Sequence, residues 1–148
     1  MSIINMAENI KQIHPNYVVM YKVGVFYHTY GKDSYIIASN YGYSLKNSGN
    51  VISCGFPEKA INKVKTVLED KKINYILLDP RNNYEVDEKS NNKNLNTYDK
   101  ELKKAYLTVK QKNKINTIKE RLELYIGKDE FKDIIRKVED VLDESGEI

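Results

Sequence analysis

The chain has 148 residues, 41% hydrophobic and 30% charged, with a net charge of +3 and one cysteine. Such a chain suits one globular domain with a helical appendage, and a lone cysteine excludes an internal disulfide and a cysteine-based metal site. No segment approaches the ~18 to 20 apolar residues of a membrane span, and the N-terminus lacks the basic and apolar regions of a secretion signal, so a cytoplasmic protein with no membrane partner is expected.

Ile3, Met6, Ala7, Ile10 and Ile13 recur at helical spacing, and His14-Pro15 ends that helix. Tyr17 to Gly24 reads as a buried strand. Gly31-Lys32-Asp33 predicts a turn, with Asp33 capping a short helix through Ala38. Tyr41 to Leu45 alternates like a strand, Lys46 to Asn50 is a polar turn, and Val51 to Cys54 is a second arm. Residues 41–54 are therefore expected to form a β-hairpin. Pro57 opens a helix whose apolar stripe is Ala60, Ile61, Val64, Val67 and Leu68. Ile73 to Leu78 is an unbroken apolar strand, central in a sheet.

Composition then changes. Pro80 to Thr97, with Asn82-Asn83 and Asn91-Asn92, reads as a polar linker or loop. Leu102, Ala105, Tyr106, Val109, Ile115, Ile118, Leu122, Tyr125 and Ile126 follow at helical spacing, with a slip near Lys110 to Lys114 that allows two helices. Phe131, Ile134, Ile135, Val138, Val141 and Leu142 mark a clean amphipathic helix. The expected fold class is α/β of the α+β kind: a small mixed β-sheet flanked by helices, then a C-terminal helical hairpin. The expected domains are a mixed α/β domain over 1–80, a linker over 81–97, and the hairpin over 98–148. The hairpin's apolar face must be buried on that domain or on a second subunit.

Charge is spread unevenly. Residues 100–121 hold 8 basic and 2 acidic side chains, while residues 122–148 hold 4 and 9. Such neighbours attract when folded back on each other; the other use of a basic strip is phosphate contact.

No P-loop, Gly-x-Gly-x-x-Gly or His-Glu-x-x-His motif is present, so no cofactor and no metal is expected. His14 suits a capping or surface role at a helix end. Cys54, in an apolar strand, suits a buried thiol rather than a nucleophile. Asp79 ends a strand where a carboxylate can bind metal, but a nuclease needs further acids beside it. A chain that is not an enzyme is expected.

The run Lys22-Val23-Gly24-Val25-Phe26-Tyr27-His28 puts two aromatics just past a glycine. A ring there either fills a core or stands out to stack on something flat. His14-Pro15-Asn16-Tyr17, this run, Gly31-Lys32-Asp33 with Ile37-Ala38-Ser39, Tyr43-Ser44-Leu45 with its basic loop, and Cys54-Gly55-Phe56-Pro57 with Ala60 follow one another. In that order they resemble the N-terminal mismatch-recognition domain of the MutS family. The resemblance covers about Ile13 to Asp79, roughly half of the chain.

It implies a compact mixed α/β domain, with Phe26 at the position of a ring that wedges beside a mispaired base from the minor groove. His28 stands where the family has a glutamate, and Val25 where it has an aspartate. An imidazole still donates or accepts a hydrogen bond, though not as a carboxylate does. The resemblance thus implies a stand-alone module, without ATPase activity of its own, that binds mismatched or distorted double-stranded DNA through Phe26, His28, Lys46, Asn47 and Ser48. The alternative is a protein-interaction module that keeps the fold without DNA reading, its C-terminal helices mediating homodimerisation or partner docking. Tyr27, adjacent to Phe26 on a strand, is expected to point inward.

Overall fold

A computed structural model of the chain describes residues 3–82, 85–90 and 97–146. Two compact units divide between Val109 and Lys110. Among the described residues the first unit holds helix α1 (Ile3–Ile13), strands β1 (Tyr17–Val23) and β2 (Phe26–Tyr30), α2 (Asp33–Tyr41), β3 (Leu45–Ser48), β4 (Val51–Pro57), α3 (Ile61–Asp70), β5 (Asn74–Asp79) and β6 (Glu85–Lys89). Helix α4 (Thr97–Glu123) begins in this unit and continues into the second, which also holds α5 (Phe131–Gly146).

The six strands form one mixed sheet in the order β3-β4-β2-β1-β5-β6. Only β1 and β5 are parallel, with Val19 beside Ile76. These are the two densest apolar runs, and both are covered on either face, as parallel strands usually are. Alternation then sorts their side chains. Val18, Met20, Tyr75 and Leu77 join Tyr27, Cys54 and Phe56 on one face, beneath Ile36 and Ile37 of α2, Val64 and Leu68 of α3, and Tyr98 and Ala105 of α4. Val19, Tyr21, Ile76 and Leu78 lie on the other face, under Ile3, Ala7 and Ile10 of α1. The mixed α+β class expected from the sequence is the one observed.

Asp33 is buried and does not cap α2. Lys32 stands at the cap position, with no side-chain hydrogen bond. One Asp33 oxygen accepts the Val19 amide at 3.1 Å. The other receives the Lys11 ammonium at 2.9 Å and the Tyr98 hydroxyl. Lys11 also donates to the Tyr17 and Pro15 carbonyls, at 2.5 and 3.1 Å. Burial pushes the carboxyl up and the ammonium down, and their mutual attraction opposes both shifts. Burial also pushes the Tyr98 phenol far above its ordinary value, so it stays a donor.

Several boundaries differ from expectation. Tyr41 belongs to α2, not to a strand: its hydroxyl donates to the Val64 carbonyl at 2.6 Å. Gly42 then ends the helix in the left-handed region (φ 73°), returning its amide to Ala38. The hairpin therefore starts at Leu45, and Lys46, Asn47 and Ser48 are strand rather than turn. Gly55 to Pro57 remain in β4, and a short 3-10 turn over Glu58–Ala60 precedes α3.

Within the polar stretch read as a linker, Glu85–Lys89 is β6, an antiparallel edge strand on β5. Its charges suit an edge facing water and hide the usual apolar alternation. Residues 83–84 and 91–96 of that stretch lie outside the described residues. The two-helix option near Lys110 to Lys114 is not taken, since α4 runs unbroken through it. Tyr98 and Ala105 place the start of α4 in the first unit's core, so the units meet inside this helix rather than at 81–97.

Tyr98→Phe leaves the buried Asp33 carboxyl one donor short. Urea unfolding is expected to show a loss of about 1–3 kcal/mol with helical content unchanged. An unchanged midpoint would show that the docking of α4 does not rest on this contact.

Candidate functional site

Helix α1 covers only the β1–β5 half of its sheet face. The β2–β4–β3 half is left open, and the strand register decides what stands on it. Phe26 pairs with Pro57, His28 with Gly55, and Tyr30 with Ser53, which in turn pairs with Lys46. Every second residue of each strand therefore faces the opening.

Phe26 stands at the tip of the β1–β2 hairpin. Its two-residue turn places Gly24 at φ 62°, a conformation a side chain at that position would strain. The Glu58 amide donates to the Val25 carbonyl at 2.8 Å, and Lys22 pairs with Glu58 at 2.9 Å, so the tip is tied to the end of β4. Val25 is 67% exposed and Phe26 45%, and with Val23 they make an apolar point. Tyr27 turns inward as expected, stacked on Phe56 with ring centres 5.8 Å apart.

The aromatic row continues from Phe26 to His28 and from His28 to Tyr30, each with ring centres 6.4 Å apart. The His28 ring lies over Gly55. A Cβ at position 55 would come within 3.0 Å of Cε1 and 3.1 Å of Nδ1, tighter than nine in ten real Cβ contacts, so the ring would have to give by a few tenths of an ångström. Glycine here is thus the floor on which the imidazole rests. Burial and then the Lys46 ammonium push His28 below its ordinary value, so the ring is neutral at pH 7.

Beyond it, the Ser48 and Ser53 hydroxyls share a hydrogen bond of 2.7 Å. These strands and Ile3 and Ile4 of α1 line a groove of about 640 Å³, with Phe26, His28, Tyr30, Lys46 and Ser48 on its wall. Its chemistry is an apolar ring at the rim, a neutral imidazole, hydroxyls and one cation.

Four of the five residues singled out in the sequence meet here: Phe26, His28, Lys46 and Ser48. Asn47 does not line the groove. It is exposed on β3 beside Ile52, and alternation turns it to the opposite face. Sequence reasoning missed Tyr30, Ser53 and the seating role of Gly55. Two-residue spacing from Phe26 points to Tyr30, but Ser53 and Gly55 require the β2–β4 register.

The other candidates lie elsewhere. Cys54 is fully buried, and burial pushes its thiol up to about 11. Asp79 is engaged by Arg81 through its amide at 2.9 Å and its guanidinium at 3.1 and 3.2 Å, which holds the carboxyl below its ordinary range. Among the described residues no group of three or more histidine, cysteine or acidic side chains is placed to hold a metal ion. None of the described helices is long and apolar enough to cross a membrane.

No curated protein matches this chain. A family model described as MutS domain I matches residues 3–77, just over half of the 148 residues. The match includes α1, both inner hairpins, α3 and most of β5, and hence every strand that frames the groove. The chain belongs to the MutS domain I family.

Proposed function

We propose that this domain binds mismatched or distorted duplex DNA, with Phe26 as an apolar wedge, and that these 148 residues turn over no ATP themselves. The observation that carries this reading is the half-exposed Phe26 ring, held at the hairpin tip on the same open face as His28 and Lys46.

An inserted ring must unstack a base step and kink the duplex. A mispaired step costs less to open than an intact one, so deformability supplies the discrimination. Val23 and Val25 extend the apolar tip beyond the ring. His28 donates or accepts one hydrogen bond to an exposed base edge, and its seat on Gly55 fixes where that bond points. Lys46 supplies phosphate contact from β3, on the far side of β4.

The second reading, a protein-interaction module, draws on a different part of the chain: no residue of α5 is buried. It does not account for an aromatic row seated over a glycine in the first unit.

Fluorescence anisotropy at low salt, with duplexes differing only by one mismatch, tests the proposal. Wild type is expected to prefer the mismatched duplex. Phe26→Ala is expected to lose about 1–3 kcal/mol of that binding, the usual cost of removing one stacking ring. Equal and negligible binding to both duplexes, or full binding by Phe26→Ala, would refute the wedge.

Gly55→Val pushes His28 off its strand and is expected to erase the mismatch preference while leaving the fold intact by circular dichroism. Retained preference would remove His28 from the reading.

Phosphates beside the ring favour the imidazolium, which the free protein disfavours. Binding then takes up a proton, and affinity is expected to rise as pH falls through 6.5, the ordinary histidine value. His28→Gln should flatten that rise; an unchanged pH profile would place the titrating group elsewhere.

A further inference from the structure

The second unit carries an apolar surface that it does not bury. In α5, Phe131, Ile134, Ile135, Val138, Val141 and Leu142 recur three and four residues apart, which makes one stripe. None of them is buried, and Val141 and Leu142 are largely exposed. Beyond Val109, α4 repeats the pattern with Ile115, Ile118 and Leu122, again without a buried residue. A helix of 16 residues draws most of its stability from packing its apolar face, and within this unit that face is only partly covered: Ile134, Ile135 and Val138 are half-buried, while Phe131, Val141 and Leu142 are exposed.

The charges indicate what covers it. From Lys110 to Glu123, α4 carries five basic and two acidic side chains, with Lys110, Lys112 and Lys114 at its start. Helix α5 carries three basic and five acidic ones, and they are sorted along its length. Lys132, Arg136 and Lys137 lie toward its start, and Glu139, Asp140, Asp143 and Glu144 toward its end. Asp133 is taken up locally, by Arg136 at 2.5 Å and Lys137 at 3.2 Å.

An antiparallel α4–α5 pairing therefore sets the lysine cluster beside the acidic end. A parallel pairing, or α5 beside α5 in parallel, sets like charges together. A surface with both a basic and an acidic half is self-complementary, which is what a two-fold interface requires.

We propose that a second copy of this chain covers the stripe. The second unit is a homodimer interface in which α4 (from Lys110) and α5 of each copy pack antiparallel against α5 and α4 of the other, as a four-helix bundle. The apolar stripes form its core, and the lysine cluster faces the acidic end of the other copy's α5. This inference does not depend on the DNA reading, since it uses no residue of the groove.

Sedimentation velocity on the full chain across the micromolar range is expected to give twice the 17.2 kDa chain mass. Val138→Asp, in the middle of the stripe, is expected to give monomer. Because that change could also unfold α5, exposed charges supply the second test. One variant combines Lys110→Glu, Lys112→Glu and Lys114→Glu. The other combines Asp140→Lys, Asp143→Lys and Glu144→Lys.

Each alone is expected to weaken association at least about tenfold, and an equimolar mixture to restore it as a heterodimer. Four results would overturn the proposal: a wild-type monomer throughout the range, a dimer that survives Val138→Asp, an assembly larger than a dimer, or variants that fail to rescue each other.

Discussion

One buried carboxylate holds the first unit together. Asp33 sits at the start of α2 and receives Lys11 from α1, the Val19 amide from β1 and Tyr98 from α4. A carboxyl taken out of water without partners is costly, so these four elements have essentially one arrangement that satisfies it. Lys11 in turn gathers the carbonyls of Pro15 and Tyr17, which fixes how the chain leaves α1 and enters β1. Helix α1 is thereby set over β1 and β5, and the β2–β4–β3 half of the same face stays open. The groove is a consequence of where that helix is pinned.

On the open half, local sequence and register act together. Gly24 makes the tight turn that projects Phe26, and Gly55 clears the strand on which His28 lies. The family's glutamate position is occupied by a ring that needs a flat floor, and β4 supplies one directly opposite. Phe26, His28 and Tyr30 thus line the groove from one strand, β2, and Lys46 and Ser48 line it from β3. The proposed function rests on this combination: a ring that can enter a flat stack, with one cation beside it for an anionic backbone.

Much of this was legible in the sequence, and the failures have physical causes. The 3.6-residue period located α1 and α5, because each carries one apolar stripe, and unbroken apolar runs located β1 and β5, because both faces of these strands are buried. The inward turn of Tyr27 followed from alternation alone. Asp33 resembled a helix cap by position, but its partners come from residues 22 and 65 positions away. The alternation of Tyr41, Tyr43 and Leu45 imitated a strand, while a hydrogen bond to Val64 and the left-handed Gly42 kept Tyr41 helical. Strand β6 was hidden by its charge, since an edge strand in water needs no apolar side. The slip in periodicity near Lys110 to Lys114 marked no break in α4; it falls where the helix passes from one compact unit to the other. For the groove, the sequence named four of its residues and misplaced Asn47 by one strand face, because register is a property of the pair and not of either strand.

The central claim is that Phe26 enters a weakened base step. A fluorescent adenine analogue that brightens on unstacking, placed beside a single mismatch, reports this directly. Binding by wild type should raise its emission, while Phe26→Ala, at concentrations that saturate the same duplex, should not. Saturating wild-type binding with no rise in emission would contradict the account.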